Sequence, residues 1–202
     1  MSEFQIYLTL GFEHITDWNG YDHILFVMAL CAIYLWPDWR KVLGLITAFT
    51  VGHSLTLALA VFGLVPFSAQ LIEQLIPVTI IVTAVSNWAV KPPQNTFGKP
   101  KKDVFAVVFR YLMGLGFGLI HGLGFSNYLR SLLLPNEEIV LKLLAFNIGL
   151  ELGQLLIVLA MMLLSGLVVQ LLRVNARTWN LIASSWVAGM AFVLLLGKLS
   201  AQ

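Results

Sequence analysis

Long apolar runs broken by short polar or proline-marked stretches set the pattern of this chain. The first run covers residues 21–36 and stops at Pro37-Asp38. The second, residues 40–64, follows Arg40-Lys41 and ends at Pro66. A third, residues 67–90, carries Pro77 inside it, where a kink is expected because proline lacks the helical N–H. Residues 91–103, KPPQNTFGKPKKD, form the clearest hydrophilic loop. Runs at 104–122, 139–172 and 179–199 follow; the fifth is over-long for one span and implies an interfacial turn near its end. With roughly 20 apolar residues needed per crossing, the pattern predicts an all-α polytopic membrane helix bundle of about six transmembrane helices in a single integral membrane domain. The opening stretch, MSEFQIYLTLGFEHI, reads as a short amphipathic or re-entrant segment. It has no basic region and no small-residue cleavage site, so it does not read as a cleavable leader.

Composition agrees. Of 202 residues, 59% are hydrophobic and 11% charged, with a mean hydropathy of +0.87, whereas soluble domains carry about 25% charged residues. The formal charge of +2 is too small and scattered to suggest nucleic acid as a partner; the partner implied is the lipid bilayer. The single cysteine, Cys31, excludes an intrachain disulfide and a paired-cysteine metal site. Lys and Arg concentrate in alternate loops: Arg40, Lys41, Lys91, Lys99, Lys101, Lys102, Arg173 and Arg177 fall on one side. By the positive-inside tendency that side is cytoplasmic and both termini lie outside. The localisation expected is the inner (cytoplasmic) membrane of a bacterium, crossed several times.

Four histidines interrupt the apolar pattern: His14 and His23 in GFEHITDWNGYDHILF, His53 in FTVGHSLTL and His121 in GLIHGLGF. His53 lies 13 residues into its run from Arg40, and Glu151 lies 12 residues into the run that starts at Ile139. All the groups therefore fall at central to outer depth, where they can meet. Asp22-His23 offers carboxylate oxygen and imidazole nitrogen, the donor set suited to divalent nickel, cobalt, zinc or iron; the plainer reading is a capping Asp beside an interfacial His. Around His53, Thr50 and Ser54 can hydrogen-bond a neighbouring helix. A mid-membrane His is a functional group by default, and an interhelical hydrogen bond is the alternative. Gly114, Gly118 and Gly122 line one smooth packing face beside His121. Asn147, Glu151 and Gln154 form a polar stripe in FNIGLELGQL, with a protonated, hydrogen-bonded Glu151 as the alternative to a ligand. Glu73 is either a supporting polar group or a solvated helix end, and Arg110 reads as snorkelling toward the cytoplasmic surface.

Those four motifs, in this order from Gly11 to Leu155, resemble the HupE/UreJ family of bacterial membrane proteins. The resemblance implies a nickel or cobalt permease that accompanies hydrogenase or urease maturation. It also implies a metal site comprising His14, Asp22, His23, His53, His121 and Glu151; Thr50, Ser54, Asn147, Gln154 and Glu73, read from the residues themselves, are the polar groups expected around it. The expected function is uptake of a divalent transition-metal ion. Two other readings stay open: an intramembrane zinc-dependent hydrolase with Glu151 as base, and a sensor or accessory protein that holds metal without moving it.

Overall fold

The computed structural model describes residues 2–90, 104–132 and 138–200. The hydrophilic loop at 91–103, with the four lysines counted there for orientation, lies outside the described residues. Among the described residues all regular structure is helical: α1 (Glu3–Thr16), α2 (Asp22–Cys31), α3 (Trp39–Val61), α4 (Ala69–Trp88), α5 (Val104–Leu132), α6 (Ile139–Gly166) and α7 (Ala176–Ser200). Local chemistry sets several ends. Ser2 and Gln5 form a reciprocal capping box at the start of α1. Ser68 caps α4 through the N–H of Leu71. Gly63, at φ 71°, takes the left-handed turn after α3 that a side chain would disfavour.

Five helical stretches are long and apolar enough to cross a membrane: Trp36–Val61, Ala69–Trp88, Ala106–Leu132, Ile139–Leu171 and Ala176–Ser200. The chain is thus a multi-pass membrane protein. The over-long fifth run is one helical stretch over Ile139–Leu171, α6 continuing into a π-helical segment at Leu167–Leu171.

The first crossing differs from the expectation of one helix over 21–36. Only 10 residues of that run are α-helical, in α2, about 15 Å of rise against a hydrocarbon core of about 30 Å. The missing length comes from α1. Glu3 pairs with Lys142 at 3.4 Å, Gly11 sits on the backbone of Phe146, and Gly153 packs on Ile15. So α1 runs beside the first half of α6 in the same direction. Val27 and Cys31 of α2 then pack with Val158, Met161 and Met162 in the second half. Together α1 and α2 follow α6 from end to end, with a break at residues 17–21.

Glycine brings the other backbones together. A Cβ on Gly52 would run into the carbonyl of Leu115, and one on Gly118 or Gly122 into the carbonyls of Phe49 and His53. The face at 114, 118 and 122 is therefore the α3–α5 contact, and Gly116 faces open space. At the end where α2 stops, Asn87 donates to the carbonyl of Ala29 at 2.7 Å and accepts from Arg110 at 3.2 Å. Arg110 is thus tied to a buried network on α4, not extended toward the surface. We call this the lower end, and the end holding the start of α1 and the close of α7 the upper end.

Candidate metal centre

The break in the first crossing brings His14, in the last turn of α1, to His23, in the first turn of α2, with ring centroids 4.6 Å apart. His53 of α3 completes a triangle, 6.0 Å from His14 and 5.9 Å from His23. One ring nitrogen from each of the three lies within 4.8 Å of the others. His121 of α5 stands beside the triangle, 5.0 Å from the His23 ring. Four histidines spread over more than a hundred residues thus converge on one locus.

Hydrogen bonding fixes which nitrogens face it. Asp22 Oδ1 accepts from both the backbone N–H and Nδ1–H of His23, at 2.7 and 2.9 Å. That leaves Nε2 of His23 with its lone pair, buried and without a partner. A carboxylate behind an imidazole orients it and raises its basicity as a ligand. Thr79 on α4 does the same for His121. Its hydroxyl donates to the carbonyl of Ile76 at 2.7 Å, so it must accept from His121 Nε2–H at 3.0 Å. Nδ1 of His121 is then the free lone pair, again buried and unpartnered. Nε2 of His14 and both ring nitrogens of His53 are also buried without partners. Unsatisfied buried polar atoms are rare in folded proteins and call for an explanation. Here five of them belong to four adjacent imidazoles.

Aromatic rings enclose the cluster. Phe26 and Phe49, 4.7 Å apart, lie against His121 from α2 and α3. Phe125 and Phe146 stack at 5.2 Å, with the His14 ring 3.8 Å from Phe125. Access comes at the break. A cavity of about 250 Å³ reaches His14, Asp22, His23 and His121 between the turn and the upper parts of α4, α5 and α7. Its mouth carries the Glu73–Lys198 ion pair at 3.1 Å. A second opening reaches His14 from the other side of the turn, past Trp18 and Tyr128.

The residues singled out from the sequence fall into four groups. His14, His23, His53 and His121 come together. Asp22 lies with them, but Oδ1 is engaged with His23, so its place is behind a ligand. Glu151 does not reach the cluster: it faces out of the bundle on the same side of α6 as Ile148, Leu152 and Leu155. Its stripe partners do turn inward. Ser54 donates to Asn147 at 2.6 Å and Thr50 to Gln154 at 2.7 Å, forming two polar rungs between α3 and α6. Thr79 escaped the sequence reading because a threonine in an apolar helix is ordinary; Pro77, two residues before it and lining the cavity, is the only local signal.

Comparison with known proteins follows the same lines. No curated protein and no solved structure matches the chain. A family profile described as HupE / UreJ protein matches residues 1–198, nearly the full length. The chain belongs to the HupE/UreJ family of membrane proteins, a family with a role in nickel and cobalt transport.

Proposed function

We propose that the protein takes up a divalent transition-metal ion, nickel or cobalt, and that His14, His23 and His53 are its binding site, with His121 as a fourth donor. The observation that carries this reading is the convergence of buried, partnerless imidazole nitrogens from separate helices at a cavity open to the upper end. Neutral imidazoles suit nickel, cobalt and zinc. An all-nitrogen set without thiolate binds firmly enough to strip water yet allows release. Each lone pair turned inward replaces one water of the hydrated ion, and the aromatic walls keep bulk water from competing.

The Glu73–Lys198 pair at the mouth gives a cation an acidic oxygen to meet before it reaches the histidines. Asp22 then holds the His23 ring in its ligating tautomer as the ion settles. In this reading the upper end faces outside. The hydrolase alternative weakens because Glu151, its intended base, points away from the cavity.

The test is the metal content of purified protein after desalting, by mass spectrometry, for the unmodified chain and for His23→Ala and His53→Ala. We expect about one nickel or cobalt ion per chain, reduced about tenfold or more in each variant. Undiminished metal in both variants would place the ion elsewhere and end this assignment. Zinc held against strong chelators would return the site to the hydrolase reading.

A further inference from the structure

The proposed site explains how an ion arrives but not how it leaves toward the lower end. Directly under His23 and His121 the way is closed by Phe26 and Phe49, 0% and 1% exposed. Toward α6 it is different, although Phe49 also lies 6.0 Å from the His53 ring. One turn below on the same helix, Thr50 donates to Gln154 Oε1. Gln154 itself is 0% exposed, and its Nε2 has no partner. A fully buried amide with half its hydrogen-bonding capacity unused, bonded to a threonine one turn from an imidazole with both nitrogens unpartnered, is a costly arrangement for packing alone.

What lies beyond Gln154 is equally specific. On α6 the buried face continues through Val158, Met161 and Ser165; on α2 it continues from His23 through Val27 to Cys31. Cys31, Met161 and Met162 meet in one cluster with Val42 and Ile46 of α3. Three sulfurs therefore line the junction of α2, α3 and α6 in the lower half. Thioether and cysteine sulfur are soft donors, in contrast to the carboxylate, carbonyl and water oxygens that suit magnesium and calcium.

We infer that the ion leaves the histidine site through the α2–α3–α6 junction, with Gln154 and Thr50 as its first station and the sulfurs of Cys31, Met161 and Met162 as its second. This rests on the permease reading above and adds a route and a filter to it. The Thr50–Gln154 rung opens as the ion moves off His53, its two oxygens taking the place of imidazole nitrogens. The sulfurs below then pass only an ion that tolerates soft ligands. Gln154 is here a transit ligand, not part of the resting site, and that separates binding from movement.

The experiment compares nickel bound by the purified full-length chain with uptake of radioactive nickel by cells producing it. It uses Gln154→Leu, Gln154→Glu and the combined C31A/M161L/M162L variant. For Gln154→Leu and the combined variant we expect bound nickel within about twofold of the unmodified chain and uptake lower by about tenfold or more. Gln154→Glu, which keeps an oxygen at the station, restores most of the uptake. Wild-type uptake in Gln154→Leu, or bound nickel lost in parallel with uptake, overturns the route. If the unmodified chain neither binds nor takes up nickel, the permease reading falls first and this inference with it.

Discussion

At the residue scale, the centre depends on which nitrogen of each imidazole carries the proton. Asp22 settles that for His23 and Thr79 for His121, each through one hydrogen bond. Asp22→Ala should therefore leave every histidine in place while weakening nickel binding about 10- to 100-fold, the range for loss of a group supporting a metal ligand. Competition against a chelator of known affinity measures it. Unchanged affinity would make Asp22 a helix-end residue and nothing more. The histidines were legible in the sequence because a polar ring in an apolar run is conspicuous. Glu151 was legible as unusual but not as outward-facing. Its spacing from Asn147 and Gln154 puts it about 40° and 60° around α6 from them on an ideal helix. That is enough, at the edge of a packed face, to turn one residue inward and another out. Only the position of α3, set by distant glycines, decides which.

At the element scale, the fold depends on backbones that approach too closely for a side chain. Gly118 shows this most plainly, since an added Cβ would meet the carbonyl of Phe49, while Gly116, two residues away, would meet nothing. Gly118→Ala should destabilise the protein by about 1–3 kcal/mol, as overpacking does. Gly116→Ala should be neutral or stabilising by up to about 1 kcal/mol, since alanine is the better helix former. Thermal unfolding of both variants in detergent makes the comparison, and equal effects would contradict the α3–α5 contact. The spacing of Gly114, Gly118 and Gly122 announced a smooth face but could not name the partner. The broken first crossing was harder to foresee. Residues 17–21, Asp-Trp-Asn-Gly-Tyr, mix turn formers with interfacial aromatics and read in a sequence as a loop at the surface. In the structure residues 17–20 are exposed, and what the sequence does not show is that they line the two cavities that reach His14.

At the scale of the whole molecule, the break changes what the first crossing is for. A continuous helix would bury all its backbone groups and leave no place for a substrate. Dividing it into α1 and α2 puts two helix ends, and a histidine from each, at one depth, with the later helices closing around them. Discontinuous helices in transporters place their binding sites in the same way. Counting the broken pair as one crossing before the five long helices puts both ends of the chain on one side, and the positive-inside tendency makes that side the outer one. Both termini and the turn at Trp18, which is 82% exposed, should then face outside, and Arg40 the cytoplasm. Cysteine placed at each site reports this, since native Cys31 is buried and silent. In intact cells a membrane-impermeant maleimide should label Trp18→Cys and Ser200→Cys and leave Arg40→Cys untouched until the cells are opened. Labelling of Arg40→Cys from outside would invert the molecule. The histidine cavity would then face the cytoplasm, and the same geometry would describe export or delivery from within instead of uptake.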